Sequence, residues 1–516
     1  MSSTTTTEPV TRAEFNELRE ENAELKRQLD WFKRQMFGPK SEKRVEPNPY
    51  QMSLGEQFQR PEDMPDTRPK EKITYERGKG PKVRPDDCVS DSGLRFDASV
   101  PMKTIVMPIL GIEGLGPDDY DIIDIKKTYR LAQRSASYVV LCYEQPVAKE
   151  KTTKKIHNAI ITSNVLDKSV SDVSLLVGML LDKFLYHMPL YRQHQRLSAA
   201  GITLSRATLT NLAARAIDLL IPIVDAQRLS VLQSRVLAMD ETPTKAGKSK
   251  KRKGKMHQGY YWPIYGDKDE IVFTYSDSRA RRVIEKTLND SFTGTLLSDG
   301  YSAYASYVAK TDNVTHAQCW VHTRRQFFDA KDDEPLLVDE ILERIGALYA
   351  FEDECKKQQL SGEEKRAHRL KHSKPVVDGL VERVQDLLQE RALLPSAPFT
   401  KALGYLQSRA IELRVFLENP DVPLDTNHLE RTLRVIPMGK KNWMFSWTEL
   451  GAEHTGVIQS LICTCKLHGV NPYEYLTDVL LRISVHPASQ VELLTPRLWK
   501  ENFADNPMRS DLMLDV

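Results

Sequence analysis

At 516 residues, with 28% charged residues and a formal net charge of +2, the chain is long enough for about three or four domains, and its bulk charge does not by itself announce a nucleic-acid partner. Six cysteines over that length exclude a disulfide-stapled scaffold and suit a reducing compartment. No apolar run approaches the ~20 residues of a bilayer span and residues 1–9 are polar, so a cytoplasmic protein without a membrane partner is expected.

The first pattern is a seam at Phe15, Leu18, Asn22, Leu25, Leu29, Phe32 and Met36, whose steps of three and four are those of a heptad repeat. A polar Asn on such a seam fixes register and favours two strands, which predicts a homodimer through a coiled coil in residues 1–45; a single amphipathic helix packed on its own protein is the alternative. Residues 46–85 are rich in Pro and charge and read as a linker. Segments 102–107, 120–125 and 137–143 have strand patterning, giving a small β-rich module over 86–150. From Ser171 to residue 230 the residues read as helical. Within them, two helices joined at Gly201, the second capped by Ser205, are compatible with a helix-turn-helix and equally with ordinary core packing.

A short apolar run, 236–239, ends in Asp240 and reads as a strand buried on both faces. Strands follow at 260–265 and 270–275, a helix at 281–288, and another strand at 293–298 that ends in Asp299. Beyond Trp320 the pattern is helical to about residue 417. Acids at the C-terminal ends of neighbouring strands, joined by a third on a later helix, can converge on one point. A few carboxylates together with phosphate oxygens suit magnesium, a hard cation that keeps some of its waters. Each acid also has a plain alternative: Asp240 as a turn cap, Asp299 with Gly300 as a turn dipeptide, and a later acid, Glu430, as a helical partner of Arg434.

The blocks around these acids resemble the transposases of the insertion sequence 66 family. Asp240-Glu241-Thr242-Pro243 is similar to its first catalytic strand end, Ser298-Asp299-Gly300-Tyr301 to its second, and Cys319-Trp320-Val321-His322-Thr323-Arg324-Arg325-Gln326-Phe327 to the block after the next strand. The segment from Asp425 through Glu430 and Arg431, with Arg434, Pro437 and Gly439-Lys440-Lys441-Asn442-Trp443, resembles the one that carries the third acid. Phe37 to Lys43 and Met188 to Arg192 match further blocks. The resemblance implies an α/β fold with a ribonuclease H-like catalytic core, in which Asp240, Asp299 and Glu430 hold two Mg2+ or Mn2+ ions. It divides the chain into a first part of the core at 231–330, a helical insertion at 331–424, the Glu-bearing helix at 425–450, a C-terminal helical domain at 451–486 and a tail at 487–516. The small module and a helical DNA-binding region at 151–230 precede these. Glu241 ranks second as a metal ligand, because strand alternation would turn it away from Asp240.

The implied activity is cleavage and rejoining of double-stranded DNA at the inverted-repeat ends of a mobile element, in a bacterial cytoplasm and at the nucleoid, with accessory proteins of the same element as further partners. A nuclease that cuts without rejoining, and a catalytically silent DNA-binding protein, are the rivals. Relatives carry a zinc module built on two cysteine pairs. Here only Cys88 and Cys142 stand near the expected places, so a zinc-free remnant is expected. Thr426 replaces an asparagine common in relatives. His316, Cys319 and His322 are expected to be structural or DNA-facing rather than metal ligands, and Cys463, Cys465 and His468 to be core thiols with one partnered histidine. For DNA contact the candidates are the loop Lys245, Lys248, Lys250, Lys251, Arg252, Lys253 and Lys255, whose plain reading is a solvated turn, together with Arg324, Arg325, Arg431, Arg434, Lys440, Lys441 and the rings of Trp443 and Trp447.

Overall fold

The computed structural model describes residues 94–513 apart from 113–114, 135–136, 161–163, 250–253, 289–291 and 391–393. The N-terminal seam, the linker, Cys88 and the loop from Lys250 to Lys253 lie outside the described residues.

The first sheet has β1 (Met102–Val106), β2 (Tyr120–Arg134), β3 (Ser137–Glu150) and β4 (Ile156–Asn158), with β3 central, parallel to β1 and antiparallel to β2 and β4. β2 and β3 run well beyond the stretches that sequence patterning marks. The extension hides in charged residues such as Arg130, which is buried with its guanidinium 4.5 Å from the centre of the Tyr143 ring, so a residue that looks like a strand end packs as core. Cys142 is buried in the middle of β3.

Helices α1 (Val173–Phe184), α2 (Leu190–Ala199) and α3 (Arg206–Leu232) follow. Ser205 caps α3 by accepting from the Thr208 amide at 3.0 Å, and Gly201 makes the preceding turn at φ +76°. Contrary to the sequence reading, α3 is long and apolar enough, by length and composition, to cross a membrane. Half of that stretch is nevertheless buried, with Leu209, Leu212, Ile217, Leu220 and Ile223 inside the core. The helix packs against the central sheet and a C-terminal helix, as a core element does.

The central sheet holds β5 (Val236–Met239), β6 (Thr242–Lys248), β7 (Met256–Gly266), β8 (Ile271–Ser276), β9 (Gly294–Ser298) and β10 (Val314–Gln318). Its order is β8-β7-β5-β9-β10, with β6 paired to β7 at one end; α4 (Arg281–Leu288) joins β8 to β9 and α5 (Ser302–Val308) joins β9 to β10. The β8, β7 and β5 neighbours are antiparallel, and β9 is parallel to both β5 and β10. Alternate side chains divide the two faces. Leu237, Met239, Trp262, Ile264, Val272 and Leu296 join the core with α1, α3 and the C-terminal helices. Val236, Ala238, Tyr261, Tyr265, Phe273 and Leu297 join a second core with α6 (Trp320–Asp329), α7 (Pro335–Lys357), α8 (Lys374–Glu390) and α9 (Pro398–Gln407). A continuous apolar strand is what helices on both faces require.

Two features fix the periphery. In the helical stretch after β10, fully buried Arg369 donates to both oxygens of Glu352 at 2.7 and 2.8 Å and to the carbonyls of Phe416 and Asn419. Burial alone would raise the Glu352 carboxyl, yet Arg369 holds it below the usual range. At the sheet's far edge, α12 (Glu449–Leu467) lies along β8. The Phe273 amide donates to Ser460 Oγ at 2.9 Å and the Ile271 amide to Thr464 Oγ1 at 3.3 Å, while Gln227 donates to the Ile271 carbonyl at 2.7 Å. Gly456 permits this approach, because a Cβ there would fall 2.6 Å from the Phe273 carbonyl oxygen. The boundary expected between residues 450 and 451 falls inside this helix.

Nor is 487–513 a loose tail. Leu494, Trp499 and Leu512 are buried. Trp499 donates to Asp478, and Asp511 accepts from the Tyr143 hydroxyl of the first sheet at 2.8 Å. Its polar composition conceals a few apolar anchors.

Candidate active site

The register of the parallel strands places the acids. Ala238 of β5 pairs with Leu297 of β9, so Asp240 and Asp299, each two residues on, leave adjacent strands at the same level. Ser298 pairs with Gln318 of β10, which sets Cys319 one strand further along. The third segment is tied there. Trp320 donates its amide to the Leu424 carbonyl at 3.1 Å, and Thr426 donates its amide and hydroxyl to Cys319 Sγ at 3.4 and 3.3 Å. Thr426 is therefore buried at the start of α10 (Asn427–Leu433) and fixes the helix that carries Glu430.

Asp240, Glu241 and Asp299 offer oxygens that all lie within 4.8 Å of one another, the one such cluster of potential metal ligands among the described residues. Glu241 was expected to turn away. It does not, because β5 ends at Met239 and strand alternation stops before it. Glu430 stands outside this tight group, with Oε1 3.8 Å from His322 Nε2, yet its charge is felt there. Burial, and then the charges of Glu241, Asp299 and Glu430, push the Asp240 carboxyl up to about 8. Three clustered acids and the nearby charge of Glu430, with one of the acids holding its proton near neutrality, form a site that a cation would relieve. The donors are all hard carboxylate oxygens, which fit Mg2+ or Mn2+.

Of the neighbouring histidines and thiol, His316 and Cys319 have structural partners, while His322 faces Glu430. His316 Nε2 shares a hydrogen bond with Ser298 Oγ at 2.9 Å, and burial lowers its pKa to about 4, while Cys319 is sealed and held by Thr426. Cys463 and Cys465 are buried core thiols, but His468 Nε2 is buried without a hydrogen-bond partner, in place of the partnered ring expected.

Sequence reasoning missed several residues at this site. Tyr304 donates to Glu241 Oε2 and Arg279 to Oε1. Tyr405 crowds Gly300, where a Cβ would fall 2.2 Å from its hydroxyl, and Arg409 stacks on Tyr405 at 3.9 Å and donates to the Gly300 carbonyl at 2.9 Å. Tyr301 and Tyr304 three apart after an acid gave a faint signal; Arg279 and Arg409 gave none.

The basic candidates sit on the helix after β10, on and after the helix that carries Glu430, and on the hairpin after Asp240. Arg324 and Arg325 on α6, Arg431 on α10, and Arg434 and Lys441 beside or on α11 (Val435–Trp443) are exposed, and Lys440 is half-buried with Nζ 3.4 Å from the Pro243 carbonyl. The β6 hairpin, with Lys245 and Lys248 exposed, is bound to the segment after α11 through Gly247 to Ser446 and Ser446 to Lys245 backbone bonds of 3.1 and 2.9 Å. Trp443 is half-buried against Phe184 and His187, with ring centroids 6.1 and 5.6 Å away, whereas Trp447 is 36% exposed.

Comparison with known proteins agrees with these blocks. The profile described as Transposase IS66 family matches residues 168–454, more than half of the chain. The chain belongs to the IS66 transposase family. The IS66 C-terminal element matches residues 460–496 of this family member, and a profile described as Transposase C of IS166 homeodomain matches residues 24–86. The transposase chain is also similar to uncharacterized proteins of Sinorhizobium fredii (strain NBRC 101917 / NGR234). It is 31% identical to y4hP over 361 residues, covering 65% of this chain and 63% of that protein, and 31% identical to y4jD over 354 residues, covering 65% and 67%. The match thus spans a little under two thirds of the length of y4hP.

Proposed function

We propose that the chain is a DDE-type DNA transposase that binds the inverted-repeat ends of its element and catalyses metal-dependent strand cleavage and strand transfer on a ribonuclease H-like core. The observation that carries this reading is the in-register placement of Asp240 and Asp299 at the C-terminal ends of neighbouring parallel strands, in one cluster of oxygens within 4.8 Å. Three antiparallel strands followed by two parallel ones, with Glu430 on a helix anchored beside β10, support the ribonuclease H-like assignment. Asp240, Asp299 and Glu430 are the residues that would hold the ions. Two divalent ions bound there supply activation of the attacking oxygen and stabilisation of the leaving one during displacement at phosphorus.

The pairing of β5 with β9 holds Asp240 and Asp299 at one level, and the ties of Leu424 and Thr426 to Trp320 and Cys319 hold the helix that carries Glu430. In cleavage, a water oxygen bonds to the phosphorus and the 3′ oxygen leaves, taking a proton to become a hydroxyl. In transfer, the oxygen of that hydroxyl gives up its proton to water and bonds to a phosphorus of the target, and the target's own 3′ oxygen leaves and takes a proton to become a hydroxyl. The exposed cations on α6, α10, α11 and the β6 hairpin would neutralise phosphates of both DNA partners. Dimerisation through the N-terminal seam, cooperation with accessory proteins of the element, and a cytoplasmic, nucleoid-associated location belong to the same proposal. Deleting residues 1–37 should abolish the dimer; an unchanged mass in solution defeats that part.

The test is the purified full chain with labelled element ends and Mg2+, beside Asp240→Asn. Nicked ends and joined products that vanish in the variant are expected. Cut ends without joined products would establish a nuclease instead, and end binding without cutting a silent DNA-binding protein.

A further inference from the structure

Glu241 belongs to the acid cluster, yet its oxygens are already occupied. Arg279 Nε donates to Oε1 at 2.8 Å and Nη2 donates to the same atom, while the Tyr304 hydroxyl donates to Oε2 at 2.7 Å. The Glu241 side chain is 2% exposed and that of Arg279 46%, so the pair has a sealed end and an open one. Arg279 sits in the turn between β8 and α4 (Arg281–Leu288), and three contacts hold it in place. These are the bond to Glu241, a stack in which its guanidinium lies 4.1 Å from the centre of the Tyr301 ring, and a 2.7 Å bond from the Tyr301 hydroxyl to its own carbonyl. Tyr301 in turn donates its amide to Asp299 Oδ1 at 2.9 Å, which ties the stacked ring to the second acid of the cluster. Among the described residues, Arg279 Nη1 has no protein partner.

A guanidinium stacked on a ring and clamped by a buried carboxylate is pre-organised, and its free edge suits the fork-like recognition of a phosphate. We propose that Arg279 receives a phosphate of the nucleic-acid strand lying at the acid cluster, and that Glu241 is the positioning residue that holds it there rather than a metal ligand. The inference rests on the reading of this cluster as a nucleic-acid-processing site. With Arg279 in place Glu241 adds no net negative charge to repel the strand, and Tyr304 keeps the carboxylate from swinging toward the other acids.

The experiment uses the full chain. Binding of a fluorescent duplex DNA of mixed sequence is measured in calcium across a salt series for wild type, Arg279→Gln, Arg279→Lys and Glu241→Gln, with thermal melts confirming that each is folded. Mn2+ binding without DNA is counted for wild type, Glu241→Gln and Asp240→Asn. The expected result is about tenfold weaker DNA binding for Arg279→Gln, with the salt slope lower by about one unit. Arg279→Lys should keep the slope and lose part of the affinity, since it retains the charge without the fork. Glu241→Gln should weaken DNA binding while its Mn2+ count stays that of wild type, and Asp240→Asn should lose Mn2+. A wild-type slope and affinity in Arg279→Gln overturns the phosphate role, and loss of Mn2+ in Glu241→Gln overturns the positioning role. Because these readouts do not require cleavage, a wild type that binds duplex and never cuts would refute the strand-transfer reading while leaving this inference standing.

Discussion

Replacing Asp240 by Asn should make the metal-free protein more stable while destroying its chemistry. Burial, and then the charges of Glu241, Asp299 and Glu430, move the Asp240 carboxyl from 3.8 to about 8. Between those values the folded protein holds a proton that the unfolded chain has released, so stability falls as pH rises through this window. At about 1.4 kcal/mol per pH unit, the penalty at pH 7 is at most about 4 kcal/mol, and relaxation of the half-open site reduces it to roughly 2 kcal/mol. Asn keeps the shape and discards the charge. Urea denaturation in EDTA at pH 5, 6, 7 and 8 should show Asp240→Asn gaining about 2 kcal/mol over wild type at neutral pH, with the difference shrinking toward pH 5. Mg2+ at about a hundred times its Kd should then stabilise wild type by about 2.7 kcal/mol and the variant by much less. A variant no more stable than wild type at pH 7 in EDTA, or one that Mg2+ stabilises equally, refutes the account of crowded like charges.

Other substitutions probe the frame around the site. Arg369→Met should cost about 3–5 kcal/mol in urea denaturation, because it leaves the Glu352 carboxylate buried without its partner; a loss under 1 kcal/mol would mean that water reaches the pair. Gly456→Ala should destabilise by about 1–3 kcal/mol as α12 is pushed from β8, measured as a lower urea midpoint, and a neutral effect would show that the helix can shift freely. Asp299→Asn and Glu430→Gln should each lower Mg2+-dependent cleavage of element ends at least a thousandfold, on the order of 4 kcal/mol of barrier, with DNA binding retained. Full activity in Glu430→Gln would shift the third role to another acid.

The strands that carry Asp240 and Asp299 were legible because an apolar run ending in an acid leaves little else for residues 236–240 to be. Their pairing was not legible from local pattern, since register depends on which strands become neighbours. The helix of Glu430 could be placed only through resemblance to a family; what anchors it is Thr426 against Cys319, a contact across more than a hundred residues that no local pattern announces. Glu241 was misjudged because alternation was carried two residues past the end of its strand. Arg279 and Arg409 were invisible for a related reason, for an arginine in a turn looks the same whether it faces water or a carboxylate. The long β2 and β3 strands were cut short on paper because lysines and arginines mask a ribbon whose inner face still finds aromatic partners.

The hydroxyls of Ser460 and Thr464 along β8 have a consequence for solubility. An open strand edge invites pairing with other chains, and here the shield comes from a helix far along the chain, with Ser460 lying 187 positions after Phe273. A polypeptide cut short before Glu449 would keep its acids yet present a bare, adhesive border, the kind of edge that aggregates.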